Sequence, residues 1–143
     1  MADANLGAAA LHWAVPLIGK PYRARARGPD AFCCWGLNQY VWRQRLGIDV
    51  PDIPDAADAF RRIARDGRYA VGRIAAVEAP APRELDAVYM TMRKAPHHVG
   101  VWVAADGGGV LHALDGAGVV FQRRADLTAH GITIVKFMRL DIG

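Results

Sequence analysis

The stretch His98-Val99-Gly100-Val101-Trp102-Val103-Ala104-Ala105-Asp106-Gly107-Gly108-Gly109-Val110-Leu111-His112-Ala113-Leu114 reads as two strands joined by a turn. Val99, Val101 and Val103 alternate with their neighbours, a period of two that puts them on one face of a strand. Asp106-Gly107-Gly108-Gly109 is a hairpin turn signal, and Val110–Leu114 is the returning strand. Residues 98, 100 and 102 share one face, as do 110, 112 and 114. A hairpin centred near 105–107 therefore sets His98 and His112 opposite or diagonal, about 5–8 Å apart. Further out, Val88, Met90 and Met92 alternate upstream. Asp115–Gly118 turns into Val119-Val120-Phe121 downstream, and Ile132–Arg139 makes a last strand.

Before Pro82 the period is helical. Asp3 can cap a helix over about residues 4–15, with Leu6, Ala10, Leu11, Trp13 and Ala14 on its apolar side. Residues 19–31, rich in Gly, Pro and Arg, read as a loop. A second helix runs from about Cys33 to Leu46, with Leu37, Tyr40, Val41 and Leu46 as its stripe and Gly47 at its stop position. A third covers 55–66 and ends before Gly67. Helices first and an antiparallel meander after them make the fold class α+β.

Chemistry concentrates where the second helix begins. Cys33 and Cys34 open it, and a cysteine there faces the positive end of the helix dipole and several free backbone N–H groups. Both favour a thiolate, and the same N–H groups can receive an oxyanion. A nucleophilic cysteine needs a base within reach, which His98 can supply, with His112 holding its imidazole in the useful tautomer. A buried cysteine otherwise serves as a small inert core residue. Adjacent cysteines do not have the spacing of a zinc site, and His97 and His98 point to opposite faces of their strand, so no metal is expected.

The 143 residues suit one domain, residues 1–143, large enough to bury a core without a disulfide or metal staple. Hydrophobic residues make up 52% and charged residues 22%, which excludes a disordered chain, and no apolar run is long enough for a membrane-spanning helix. The net charge of +4 comes with 18 basic residues, 15 of them Arg, spread between acidic ones. Basic residues are not interleaved with aromatics as a base-stacking platform needs, so nucleic acid is not expected as a partner. A modest anion-facing patch lies around Arg23–Arg27. The segment Leu6–Ile18 lacks a positive leading region and a cleavage site, so synthesis in the cytoplasm without a signal peptide is expected.

Gly19-Lys20-Pro21-Tyr22, then Gly28-Pro29-Asp30-Ala31-Phe32-Cys33-Cys34-Trp35-Gly36-Leu37, then Leu46-Gly47-Ile48-Asp49-Val50-Pro51, resembles the N-terminal half of the NlpC/P60 cysteine peptidases. Leu85-Asp86-Ala87-Val88, His98-Val99-Gly100-Val101 and Leu111-His112-Ala113 are similar to that family's later strands, so the resemblance covers roughly residues 10–140. It implies a papain-like fold with N-terminal helices packed on an antiparallel β-meander. It implies Cys34 as nucleophile, His98 as general base and His112 as the residue that orients it, with Tyr22 beside the site and His97 on its flank. No cofactor is implied. The implied substrate is a peptide of bacterial peptidoglycan. The short, domain-only length resembles the phage-tail branch, which would make tail proteins partners and the cell wall the place of action. The chain departs from the family pattern at two positions that help bind a substrate's free amino terminus in many members: Cys33 stands for Asp and Trp35 for Ser. Altered substrate choice follows. A structural tail component that has lost catalysis, or an amidase or acyltransferase on the same scaffold, are the rival readings.

Overall fold

The structure, a computed structural model that describes residues 12–142, puts the change from helices to strands earlier than Pro82, since two strands already lie between residues 68 and 78, and the sheet is wider than a meander. Helix α1 spans Cys34–Leu46, α2 Ala56–Asp66 and α3 Arg124–Ala129. Strands β1 (Arg68–Val71), β2 (Ile74–Glu78), β3 (Ala87–Met92), β4 (Ala95–Val103), β5 (Gly109–Leu114), β6 (Gly118–Gln122) and β7 (Thr133–Asp141) form one seven-stranded antiparallel sheet. Its order is β1-β2-β7-β3-β4-β5-β6. Strands β3 to β6 are the expected meander. Strand β7 does not simply close it: it runs between β2 and β3, pairing Val77 with Arg139 and Val88 with Phe137.

Alternation along the strands gives the sheet two apolar faces. Val101, Val103, Leu111 and Ala113 pack with Phe32, Leu37 and Val41 beneath α1. Val88, Met90, Trp102 and Val110 pack on the other side with Leu127 of α3 and Ile132. Trp42, Ile63, Val71, Tyr89, Val99 and Met138 join α1 and α2 to the sheet.

Both central helices begin and end where the sequence marks them. Cys33 is the N-cap of α1, and Asp55 caps α2 by accepting from the Asp58 N–H at 3.1 Å. Gly47 and Gly67 close the two helices in the left-handed region. The helix expected over 4–15 lies almost wholly outside the described residues. At its end Val15–Leu17 forms one 3-10 turn. Two elements are additions. The hairpin β1–β2 turns through Gly72-Arg73, and α3 has only Leu127 buried, so neither carries a long apolar period.

Candidate active site

The loop 19–33 lies against the start of α1 and fixes where the cysteines sit. The Cys33 N–H donates to Ala26 O at 2.9 Å, and the Phe32 N–H to Pro21 O at 3.0 Å. This close approach needs Gly36: a Cβ there would stand 1.9 Å from Ala26 O. Cys33 is in extended conformation, and its Sγ accepts the Gly36 N–H at 3.3 Å. It therefore takes a helix-capping role. Cys34, one residue on, is in the first helical turn, and the N–H groups of Val99 and Trp35 approach its sulfur.

Three strands supply a row of polar groups. His98 on β4 and His112 on β5 have ring centroids 5.1 Å apart, with His98 Nε2 and His112 Nδ1 separated by 2.8 Å. His112 Nε2 meets Gln122 Oε1 of β6 at 2.7 Å. Both imidazoles are buried. Gly100 makes the row possible, since a Cβ there would stand 2.9 Å from His112 Cβ and 2.6 Å from Val110 Cγ1. Asn38 of α1 donates to Gly100 O at 2.9 Å and ties the cysteine helix to the histidine strand.

The row fixes tautomers. An amide oxygen only accepts, so His112 carries its proton on Nε2 and offers the lone pair of Nδ1. His98 then donates through Nε2, and its Nδ1 is left as the basic nitrogen. Gln122 Nε2 lies 3.3 Å from His130 Nδ1, whose own proton goes to Asp126 O at 2.8 Å. Both nitrogens of that outer contact are donors, so it is not a hydrogen bond, and the tautomers follow from the Gln122 oxygen lying against His112. No hydrogen bond joins Cys34 Sγ to His98. The link between them runs along the backbone only: the N–H of Val99, the residue after His98, approaches the sulfur, while the His98 ring turns away from the hollow that Cys34 lines.

Burial dominates the electrostatics. It pushes His98 down to about 3, helped by the neighbouring His112, and His112 down to about 4 against the opposing pull of Gln122. Burial, then Cys33, pushes the Cys34 thiol up, and the surrounding N–H groups recover only part of this. The expected resting thiolate is thus corrected: desolvation outweighs the helix start, and the resting pair is a neutral thiol beside neutral imidazoles. Burial also raises the Tyr22 hydroxyl, with Cys34 and Cys33 the next causes, which puts Tyr22 within electrostatic range of both.

A half-open hollow of about 440 Å³ adjoins the cysteines. Trp35 walls it, with its Nε1 donating to Pro51 O at 3.0 Å and its ring edge-on to Trp42 at 5.4 Å. Phe60 of α2 packs edge-on against Tyr89 at 5.0 Å and His97 at 5.1 Å. His97 is thus exposed on the hollow side while His98 turns to the other face, as their adjacent positions on a strand dictate. Cys33, Cys34, Trp35 and His97 all line this hollow, whereas Tyr22, His98 and His112 do not.

Sequence reasoning missed Gln122 and Phe60. Gln122 lies two positions beyond Val120, which pairs with His112, so it shares the inward face. That register was its only signal. Phe60 reads as one more apolar residue of a helix stripe.

The NlpC/P60 family model matches residues 19–132. None of the curated proteins matches the chain. Among solved structures it is similar to NlpC1 from Trichomonas vaginalis, at 21% identity and TM-score 0.55 over 85% of this chain and 39% of that one. It is similar to the NlpC/p60 domain of the peptidoglycan hydrolase SagA, at 22% identity and TM-score 0.52 over 88% and 91%. A lipoprotein-like NLP/P60 protein of Staphylococcus aureus gives 20% identity and TM-score 0.55 over 91% and 39%. The chain thus spans well under half of the first and third of these proteins, and at such identities the likeness is one of fold. With four-fifths of its length inside the family match, the chain belongs to the NlpC/P60 family, which includes peptidoglycan hydrolases.

Proposed function

We propose that this protein is a cysteine hydrolase that cleaves peptide bonds in bacterial cell-wall stem peptides, with Cys34 as nucleophile, His98 as base and His112 as the group that orients it. The observation that carries the reading is the hydrogen-bonded row Gln122–His112–His98, which leaves His98 Nδ1 free to accept a proton. A neutral pair requires the proton to move as the bond forms. The Cys34 thiol gives its proton to His98 Nδ1 while the sulfur attacks the amide carbonyl carbon. N–H groups of the first helical turn receive the developing oxyanion. The imidazolium then protonates the leaving nitrogen, the C–N bond breaks, and a thioester remains. Water, deprotonated by His98, attacks it, the C–S bond breaks, and the thiol is restored. Cys33, committed to its cap, takes no part in these steps.

The net charge of +4 suits an anionic wall. The phage-tail setting rests on chain length alone and forms no part of the proposal. Release of soluble peptides from purified peptidoglycan tests the reading. Wild type and Cys33→Ala release them and Cys34→Ala does not. Equal release by all three overturns it.

A further inference from the structure

The hollow beside Cys34 has a definite chemical character. Its walls are apolar and aromatic: Trp35, Ile53, Phe60 and Tyr89. Its charges are Arg25, Arg27 and Asp52. Asp52 is the one carboxylate among them, and both its oxygens are engaged. Oδ2 accepts from Arg27 at 2.7 Å and Oδ1 from Gln39 at 2.9 Å. Gln39 is itself buried and held by Val50 O at 2.9 Å, so it fixes Asp52 from below. Arg25, by contrast, has no carboxylate partner among the described residues. The sulfur of Cys33, the nearest polar side chain to Cys34 along the chain, accepts the Gly36 N–H. Arg27 already balances Asp52, so Arg25 leaves the lining with an excess positive charge: a protonated amine entering this space would lose its water against that charge, while a carboxylate would gain Arg25.

We infer that the hollow beside Cys34 binds a segment of substrate that is apolar and carries a carboxylate, and that it discriminates against a segment carrying a free protonated amine. The inference rests on the hydrolase reading and narrows its substrate to stem peptides whose amino end is acylated and whose neighbouring carboxyl group is free. Arg25 is the group that reads the carboxylate, and Trp35 and Phe60 are the surfaces against which the apolar part lies.

Four probes test it: a disaccharide tetrapeptide, in which the peptide amino end is acylated by the sugar acid, and the same tetrapeptide with a free amine, each with its acidic side carboxyl free or amidated. Calorimetric binding to Cys34→Ala protein and turnover by wild type are measured in parallel. The acylated, carboxylate-bearing probe should bind at least about 10-fold tighter than either the free-amine or the amidated form. Arg25→Gln should remove the carboxylate part of that preference and leave the amine part. Equal or tighter binding of the free-amine probe, or no loss on amidation, overturns the inference. If Cys34→Ala protein shows the preference but wild type cleaves nothing, the hollow keeps its assignment and the hydrolase reading falls. If wild type cleaves all four probes alike, the hydrolase reading stands and the inference falls. The comparison on unsubstituted Arg25 decides the matter even if the Arg25 variant does not fold.

Discussion

At the scale of single residues, the division of labour between neighbours is set by half a turn of backbone. Cys33 is extended and caps, while Cys34 is helical and presents its sulfur to the sheet. The strand alternation made the meeting of His98 and His112 legible in the sequence, and the start of the helix made the position of Cys34 legible. The protonation state was not legible, because it depends on burial, which only the packed molecule sets. The role of Gln122 gives a sharp prediction. Gln122→Glu keeps an acceptor against His112 Nε2, so it preserves the His98 tautomer and most of the activity. Gln122→Lys offers only donors, turns the row round and puts the proton on His98 Nδ1. Its kcat should fall roughly 10²-fold with KM little changed. Steady-state kinetics on a cell-wall peptide, with ¹⁵N NMR of the two imidazoles, checks both. Full kcat in Gln122→Lys would show that the row does not set the base.

At the scale of elements, the site exists because one helix is drawn tightly onto two strands. The apolar stripe of α1 and the stop glycines of both helices made α1 and α2 readable to within a residue, and their caps, Cys33 and Asp55, are findings of the structure. The hairpin β1–β2 escaped because its strands have four and five residues and no fully apolar face, and α3 because one buried leucine is no stripe. Close approach, rather than turn geometry, explains the central glycines. Gly100→Ala puts a methyl within 2.6–2.9 Å of Val110, the Leu111 carbonyl and His112. It should destabilise the fold by about 1–3 kcal/mol and displace His112 from His98. Urea unfolding and activity measured on the same samples test this, and an unchanged midpoint would mean that β4 and β5 can part without cost.

At the scale of the whole molecule, the two buried histidines make stability depend on pH. Their values in the fold, about 3 and about 4, lie below the ordinary 6.5, so the unfolded chain binds protons that the folded one refuses. The stabilisation is complete above about pH 6.5 and is lost as pH falls through that value toward 4 and then 3. Thermal unfolding across this range should show Tm falling with acid, and His112→Gln should flatten the slope. A wild-type Tm flat from pH 6.5 to 4 would mean that the pair is not held neutral by burial.

Strand β7 carries a further consequence, one of timing. It is made after every other strand, yet it lies in the interior of the sheet, with β2 on one side and β3 on the other, and its Arg139 holds the buried Asp86 carboxylate through two bonds of 2.9 and 2.7 Å. A ribosome delivers residues in order, so β2 and β3 must wait with open edges until residues 133–141 emerge. Until then the hairpin β1–β2 has no bridge to the rest of the sheet, and exposed strand edges invite pairing with other chains. The nascent sheet is therefore most vulnerable before residues 133–141 join it, and the sheet that holds the histidine row becomes whole only when they do.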